Sequence, residues 1–179
     1  MDKRLLATVD IGSHSCILLI AAFEPAETEG AEPRKVLVPK LQKVEICRLG
    51  EDIYDSGRIS EEKIQDLCRI MTKFRMDLHA LGVELKAAAM TEAMRRAENQ
   101  EEVLDAVEKA LWMRPRIISG EEEAALTYRS VKEWHGEGIV MLLDIPEHRE
   151  RLLPHERKMA LVTGIHHFSV FNNNKLGCR

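Results

Sequence analysis

The stretch that most narrows the possible folds lies near the N-terminus, in Ala7-Thr8-Val9-Asp10-Ile11-Gly12-Ser13-His14-Ser15-Cys16-Ile17-Leu18-Leu19-Ile20. Two runs of β-forming residues, Leu5 to Val9 and Cys16 to Phe23, flank a short polar connection, the pattern of paired strands closed by a tight turn. Gly12 has no Cβ, so the backbone N–H groups and the Ser13 and Ser15 hydroxyls can come close to a phosphate. Asp10, at the end of the first strand, is placed to hold a hydrated divalent cation. An ordinary β-hairpin turn uses Gly and Ser as well, so this segment alone leaves both readings open.

Beyond the hairpin, strands and helices alternate. Pro25 to Pro33 is acidic and reads as a surface loop, and Val36 to Leu49 as a further extended segment, broken near Pro39. Gly57 interrupts the chain before Ser60, an N-cap followed by Glu61 and Glu62 where the helix dipole favours negative charge. Ile64, Leu67, Cys68, Met71, Phe74, Leu78 and Leu81 then recur at helical spacing, and Gly82 ends that helix. Val83 to Met90 reads as a buried strand, Thr91 opens a helical stretch, and Glu101 to Trp112 is amphipathic through Val103, Leu104, Val107 and Leu111. After Pro115 come a short strand from Arg116 to Ile118, a turn at Gly120 and a helix from Glu121 to about Glu133. Ile139 to Leu143 is an apolar strand ending on Asp144. Helices alternating with strands behind a hairpin predict an α/β domain with a mixed sheet and flanking helices.

Several function classes recede on composition. The 179 residues suffice for one domain, and 45% apolar with 31% charged residues is the balance of a folded soluble protein. A net charge of -4 argues against nucleic acid as a partner. The four cysteines, Cys16, Cys47, Cys68 and Cys178, form no C-x-x-C pair, so neither a zinc site nor a disulfide framework is implied. Reduced thiols fit a cytoplasmic location. No signal-peptide pattern opens the chain, and no apolar run approaches the ~20 residues of a membrane span, so no membrane partner is expected.

Two further segments carry chemistry. In Ile117-Ile118-Ser119-Gly120-Glu121-Glu122-Glu123-Ala124 a short strand turns into a helix with an acidic first turn. The helix dipole rewards such glutamates without any function, whereas one of them facing a cleft could serve as a general base on water. In Ala87-Ala88-Ala89-Met90-Thr91-Glu92-Ala93-Met94-Arg95-Arg96-Ala97 two guanidiniums follow the end of a strand. They suit bidentate phosphate binding, or a solvated helix face.

Taken in order, Asp-Ile-Gly-Ser-x-Ser, Leu49-Gly50-Glu51 with Ser56-Gly57-Arg58-Ile59-Ser60, Thr91 with Arg95, and Ser119-Gly120-x-Glu122-Glu123-Ala124 resemble the exopolyphosphatase / guanosine pentaphosphate phosphohydrolase family from about Leu5 to about Ile145. The resemblance implies an actin-like, sugar-kinase-like architecture of RNase H-like domains. It also implies removal of terminal phosphates from polyphosphate or guanosine pentaphosphate with Mg²⁺. By the same resemblance, Asp10 and Asp144 are metal residues, and Gly12, Ser13 and Ser15 form the first phosphate loop. Thr91 and Arg95 contact phosphate, and Glu123 is the catalytic base with Glu122 beside it. His14 stands where the family usually carries Asn. After Asp144-Ile145, Pro146-Glu147-His148-Arg149-Glu150 replaces the expected second phosphate loop, Asp-x-Gly-Gly-Gly-Ser-Thr-Glu. Three glycines are lost there, and Pro146 lacks an N–H donor.

The expected organisation is therefore an N-terminal RNase H-like domain over 1–145 and a divergent tail over 146–179. The tail holds Asn172-Asn173-Asn174 and little periodicity, and the chain ends at Arg179 where the family continues for a second domain. The expected function is an incomplete, truncated phosphohydrolase domain, weakly active or inactive alone. Its alternatives are a non-catalytic module binding polyphosphate or guanosine tetraphosphate, or an interaction domain. A homo-oligomer or a complementing chain would supply the missing half. Codons for Glu147-His148-Arg149-Glu150, read one base later, can spell Ser-Thr-Glu, which points to a shifted reading frame just after Ile145. Determining the nucleotide sequence around codon 146 checks this; another frame is expected to restore Gly-Gly-Gly-Ser-Thr-Glu.

Overall fold

The computed structural model describes residues 5–25, 35–51 and 53–135. The chain divides into two compact units, residues 1–118 and 119–179. The expected strand over Ile139 to Leu143, Asp144, the boundary at 145 and most of the acidic loop lie outside the described residues.

In the first unit a five-stranded mixed sheet has the order β3-β2-β1-β4-β5. Strands β1 (Leu5–Ile11), β2 (Ser15–Pro25) and β3 (Lys35–Ile46) are antiparallel, while β4 (Glu84–Met90) and β5 (Arg116–Ile117) run parallel to β1. The register pairs Ala7 with Ile20, Val9 with Leu18 and Ile11 with Cys16. All six side chains are buried, because alternate residues of a strand share a face and this face carries the apolar ones.

Against that face lie helices α2 (Glu61–Leu81) and α4 (Gln100–Leu111). Their buried stripes, Ile64, Leu67, Met71, Phe74 and Leu78 on α2 and Val103, Leu104, Val107 and Leu111 on α4, join the strand residues in one core. The repeat of three and four residues seen in the sequence is the repeat of one helix face. Short helices α1 (Ile53–Ser56) and α3 (Glu92–Arg96) complete the unit.

Some expectations shift in detail. β3 runs through Pro39 rather than breaking there. Ile20 pairs with Leu41 and Ala21 with Pro39, so Lys40 is an extra residue in a bulge. An edge strand tolerates a proline that could not donate to a second neighbour. Leu81 is exposed, since the core stripe ends one turn before Gly82, and Cys68, beside the stripe, is only half-buried. There the chain turns left-handed, at φ 62°, and the Gly82 and Val83 N–H groups take up the His79 and Leu78 carbonyls. β4 is not wholly buried: Ala88 and Met90 face the core, and Lys86 and Ala87 are exposed. α1 has no helical periodicity in its four residues and was not foreseen.

Asn99, between α3 and α4, is one of the few buried polar residues. Its side-chain amide acts as a strand neighbour for Ile59: Nδ2 donates to the Ile59 carbonyl and Oδ1 accepts from the Ile59 N–H, both at 3.0 Å. The α1–α2 connection is thereby tied to the α3–α4 connection. Asn99→Ala should leave both Ile59 groups unpaired and lower unfolding free energy by about 2 kcal/mol in urea titration. A loss below about 0.5 kcal/mol would show that water replaces the amide.

Candidate phosphate site at the carboxyl edge of the sheet

Because β1, β4 and β5 are parallel, their carboxyl ends share one edge of the sheet. Strand order also reverses at β1, whose neighbours are the antiparallel β2 and the parallel β4. In open α/β sheets, ligands bind in the crevice outside such strand ends. The Gly12–Ser15 turn leaves β1 at this edge, Thr91 leaves β4, and Ile118 leaves β5.

The turn is closed by a hydrogen bond from the Gly12 N–H to the Ser15 carbonyl at 2.9 Å. A Cβ at Gly12 would stand 3.1 Å from that same oxygen, so any side chain there crowds the turn. The Thr91 N–H bonds the Ile11 carbonyl at 3.3 Å, and the Ala93 N–H donates to Ser13 Oγ at 3.2 Å. Ser13 and the opening of α3 are thus joined across 80 residues of chain. Thr91 is buried, and its carbonyl accepts from the N–H groups of Met94 and Arg95.

Arg95 is partly buried, and its Nη1 donates to the Ile118 carbonyl at 2.8 Å, linking the ends of β4 and β5. Arg96 is exposed and paired with Glu92 at 2.8 Å. The structure thus places Asp10, Gly12, Ser13, Ser15, Thr91 and Arg95 along one edge. Asp144 lies outside the described residues.

Residues 47–50 form a strap that sequence reasoning left without a role. The Cys47 and Arg48 N–H groups both bond the His14 carbonyl, at 2.8 and 2.9 Å, and the Gly50 N–H bonds the Ser13 carbonyl at 2.9 Å. The Cys47 thiol lies 3.6 Å from the Gly12 carbonyl. Both Cys16 and Cys47 are buried beneath the turn. A hydrogen bond from Cys16 to Cys47 holds the Cys47 thiol below its ordinary range and, with burial, pushes Cys16 well above it. Just past the strap, Glu51 receives a hydrogen bond from Lys63 Nζ at 2.8 Å, which lowers its carboxyl from the usual value. The Leu49-Gly50-Glu51 motif was the available signal for this strap, but motif order says nothing of which carbonyl a loop will cap.

The second unit carries the acidic segment in helix α5 (Gly120–His135), so Gly120 begins the helix rather than making a turn. Ser119 caps it: its Oγ accepts from the Glu122 N–H at 3.1 Å and its carbonyl from the Glu123 N–H at 2.9 Å. Ser119-x-x-Glu122 is the spacing of a capping box, which opens a structural role to Glu122 that Glu123 does not share. Both glutamates are partly buried.

Among the described residues, no group of three or more His, Cys, Asp and Glu could enclose a metal ion, and no helix is long and apolar enough to cross a membrane. An exposed Asp10 at this candidate edge fits the donor type that Mg²⁺ takes. That ion keeps most of its waters and binds through one or two carboxylates and substrate phosphates rather than a protein cage.

Residues 33–146 match the model of the Ppx/GppA phosphatase family. Exopolyphosphatase 1 of Mycobacterium tuberculosis is 30% identical over 142 residues, covering 78% of this chain and 39% of that protein. The guanosine-5'-triphosphate,3'-diphosphate pyrophosphatase of Aeromonas hydrophila is 29% identical, covering 93% of this chain and 34% of that protein. The crystal structure of the Aquifex aeolicus Ppx/GppA family member superposes with a TM-score of 0.67 at 29% identity, over 80% of this chain and 44% of that one. The chain therefore spans about two fifths of the length of the relatives it matches. Its fold is the actin-like, RNase H-like α/β class expected from the sequence. More than half of the chain matches the family model, and the chain belongs to the Ppx/GppA phosphatase family.

Proposed function

We propose that this chain is an exopolyphosphatase-like phosphohydrolase domain, acting on the terminal phosphate of polyphosphate or guanosine pentaphosphate, and that it is weakly active or inactive alone. The observation that carries this reading is the Gly12–Ser15 turn at the strand-order reversal, hydrogen-bonded to the opening of α3 through Ser13 Oγ. In this reading the turn built on Gly12 receives the terminal phosphate through the Ser13 and Ser15 hydroxyls, and Thr91 and Arg95 contact its other oxygens. The Arg95 bond to Ile118 orients its guanidinium. Asp10, with Asp144, would hold Mg²⁺, which neutralises phosphate charge when bound. Glu123 takes the proton of the attacking water, and Glu122 stands beside it.

A non-catalytic binding module, or an interaction domain, is the second reading. Pro146-Glu147-His148-Arg149, in place of a glycine-rich second loop after Asp144-Ile145, favours it. A homo-oligomer or a complementing chain is the partner in this reading. A cytoplasmic setting, without nucleic-acid or membrane partners, completes the proposal.

Phosphate release from long-chain polyphosphate and from guanosine pentaphosphate, with Mg²⁺, should be at or near background for the chain alone. Any release should vanish in Glu123→Ala, while binding of tripolyphosphate is kept; turnover unaffected by that substitution would overturn the assignment of the base. Gly12→Ala crowds the Ser15 carbonyl and should weaken tripolyphosphate binding about tenfold, measured by calorimetry.

A further inference from the structure

Arg48 is one of two described non-glycine residues with positive φ, at 50°. In that conformation the Cys47 and Arg48 N–H groups both reach the His14 carbonyl and the Gly50 N–H reaches that of Ser13. Glycine would adopt this conformation without the Cβ cost that any other L residue carries. The backbone thus gives no reason for an arginine here.

Its local ion pair gives little more. Nη1 stands 3.6 Å from Glu51 Oε1, both side chains are about half exposed, and Glu51 has a closer partner in Lys63 at 2.8 Å. Exposed pairs of this kind contribute little. What remains is a guanidinium, 57% exposed, on a strap bonded to two successive carbonyls of the phosphate turn.

We propose that Arg48 binds the second phosphate of a condensed-phosphate ligand, the group that emerges from the turn once the terminal phosphate is seated. This rests on the reading of Gly12–Ser15 as the phosphate loop. The turn's own hydroxyl groups serve the terminal phosphate, whereas the Arg48 backbone adjoins His14 at the tip of the turn. A guanidinium there can engage two oxygens of a neighbouring phosphate with its planar fork. Arg48 is then a specificity residue: it distinguishes a chain of phosphates, or a nucleotide polyphosphate, from orthophosphate.

Calorimetric titration with orthophosphate and with tripolyphosphate, each with Mg²⁺, tests this on the wild type, Arg48→Gly and Arg48→Lys. Arg48→Gly retains the backbone N–H and suits φ 50°, so its melting temperature should be unchanged or higher. Its tripolyphosphate affinity should fall about tenfold with orthophosphate affinity unchanged, and Arg48→Lys should lie between. Tripolyphosphate binding equal to wild type in Arg48→Gly would overturn this proposal and leave the phosphate loop standing. An equal loss for both ligands would also overturn it, since Arg48 would then act only by shaping the loop. A wild type that binds neither ligand would remove the phosphate-loop reading and this proposal together.

Discussion

Ser13 and His14 sit at a hairpin tip, where backbone carbonyls would ordinarily face water. Here they are capped by donors from a distant part of the chain: Cys47 and Arg48 on the His14 carbonyl, and Gly50 on that of Ser13. Ser13 Oγ accepts from Ala93, at the opening of α3. These bonds take up acceptors, which would repel an anion, and leave the shape of the turn determined from two sides. A turn held in this way loses little conformational freedom on meeting a ligand, which is the physical content of preorganisation. The site at the sheet edge depends on that fixation.

The polar strapping is possible because the apolar core sits directly beneath it. Ile11 and Cys16, the last and first core residues on either side of the turn, are fully buried, and Met90 and Met94 close the space under Thr91. The core holds β1, β2 and β4 in register, and the register decides which N–H meets which carbonyl at the edge. Asn99 performs a related task on the α1–α2 and α3–α4 connections, with a side-chain amide pairing Ile59 as a strand would. Packing and hydrogen bonding are therefore not separable contributions here: moving β4 by one residue would take Thr91 from Ile11 and Ala93 from Ser13.

Much of this architecture was legible from residue order. The hairpin, both long amphipathic helices, the αL cap at Gly82 and the mixed sheet follow from local signals: alternation, a period near 3.6, glycine and proline placement. The candidate site was legible as a set of residues through its motifs, and six of them lie along one sheet edge. The bulge at Lys40 escaped, because a proline in an edge strand is locally indistinguishable from a break. The strap at Cys47–Gly50 escaped as well. Its meaning lies in hydrogen bonds to residues more than thirty positions away, and no periodicity encodes those.

The sequence by itself determined the element types, the buried faces and the chemistry available at the turn, since these depend on side-chain size, polarity and backbone freedom within a few residues. Tertiary structure alone decided which of these groups meet. It assigned Arg95 to the end of β5, Ser13 to α3 and the 47–50 strap to the Gly12–Ser15 turn. It also left Arg48 in a left-handed conformation with its side chain exposed and its N–H on the His14 carbonyl. The reason is physical. Long-range partners are selected by sheet order and register, which arise from packing the whole core at once and are not written in any single segment.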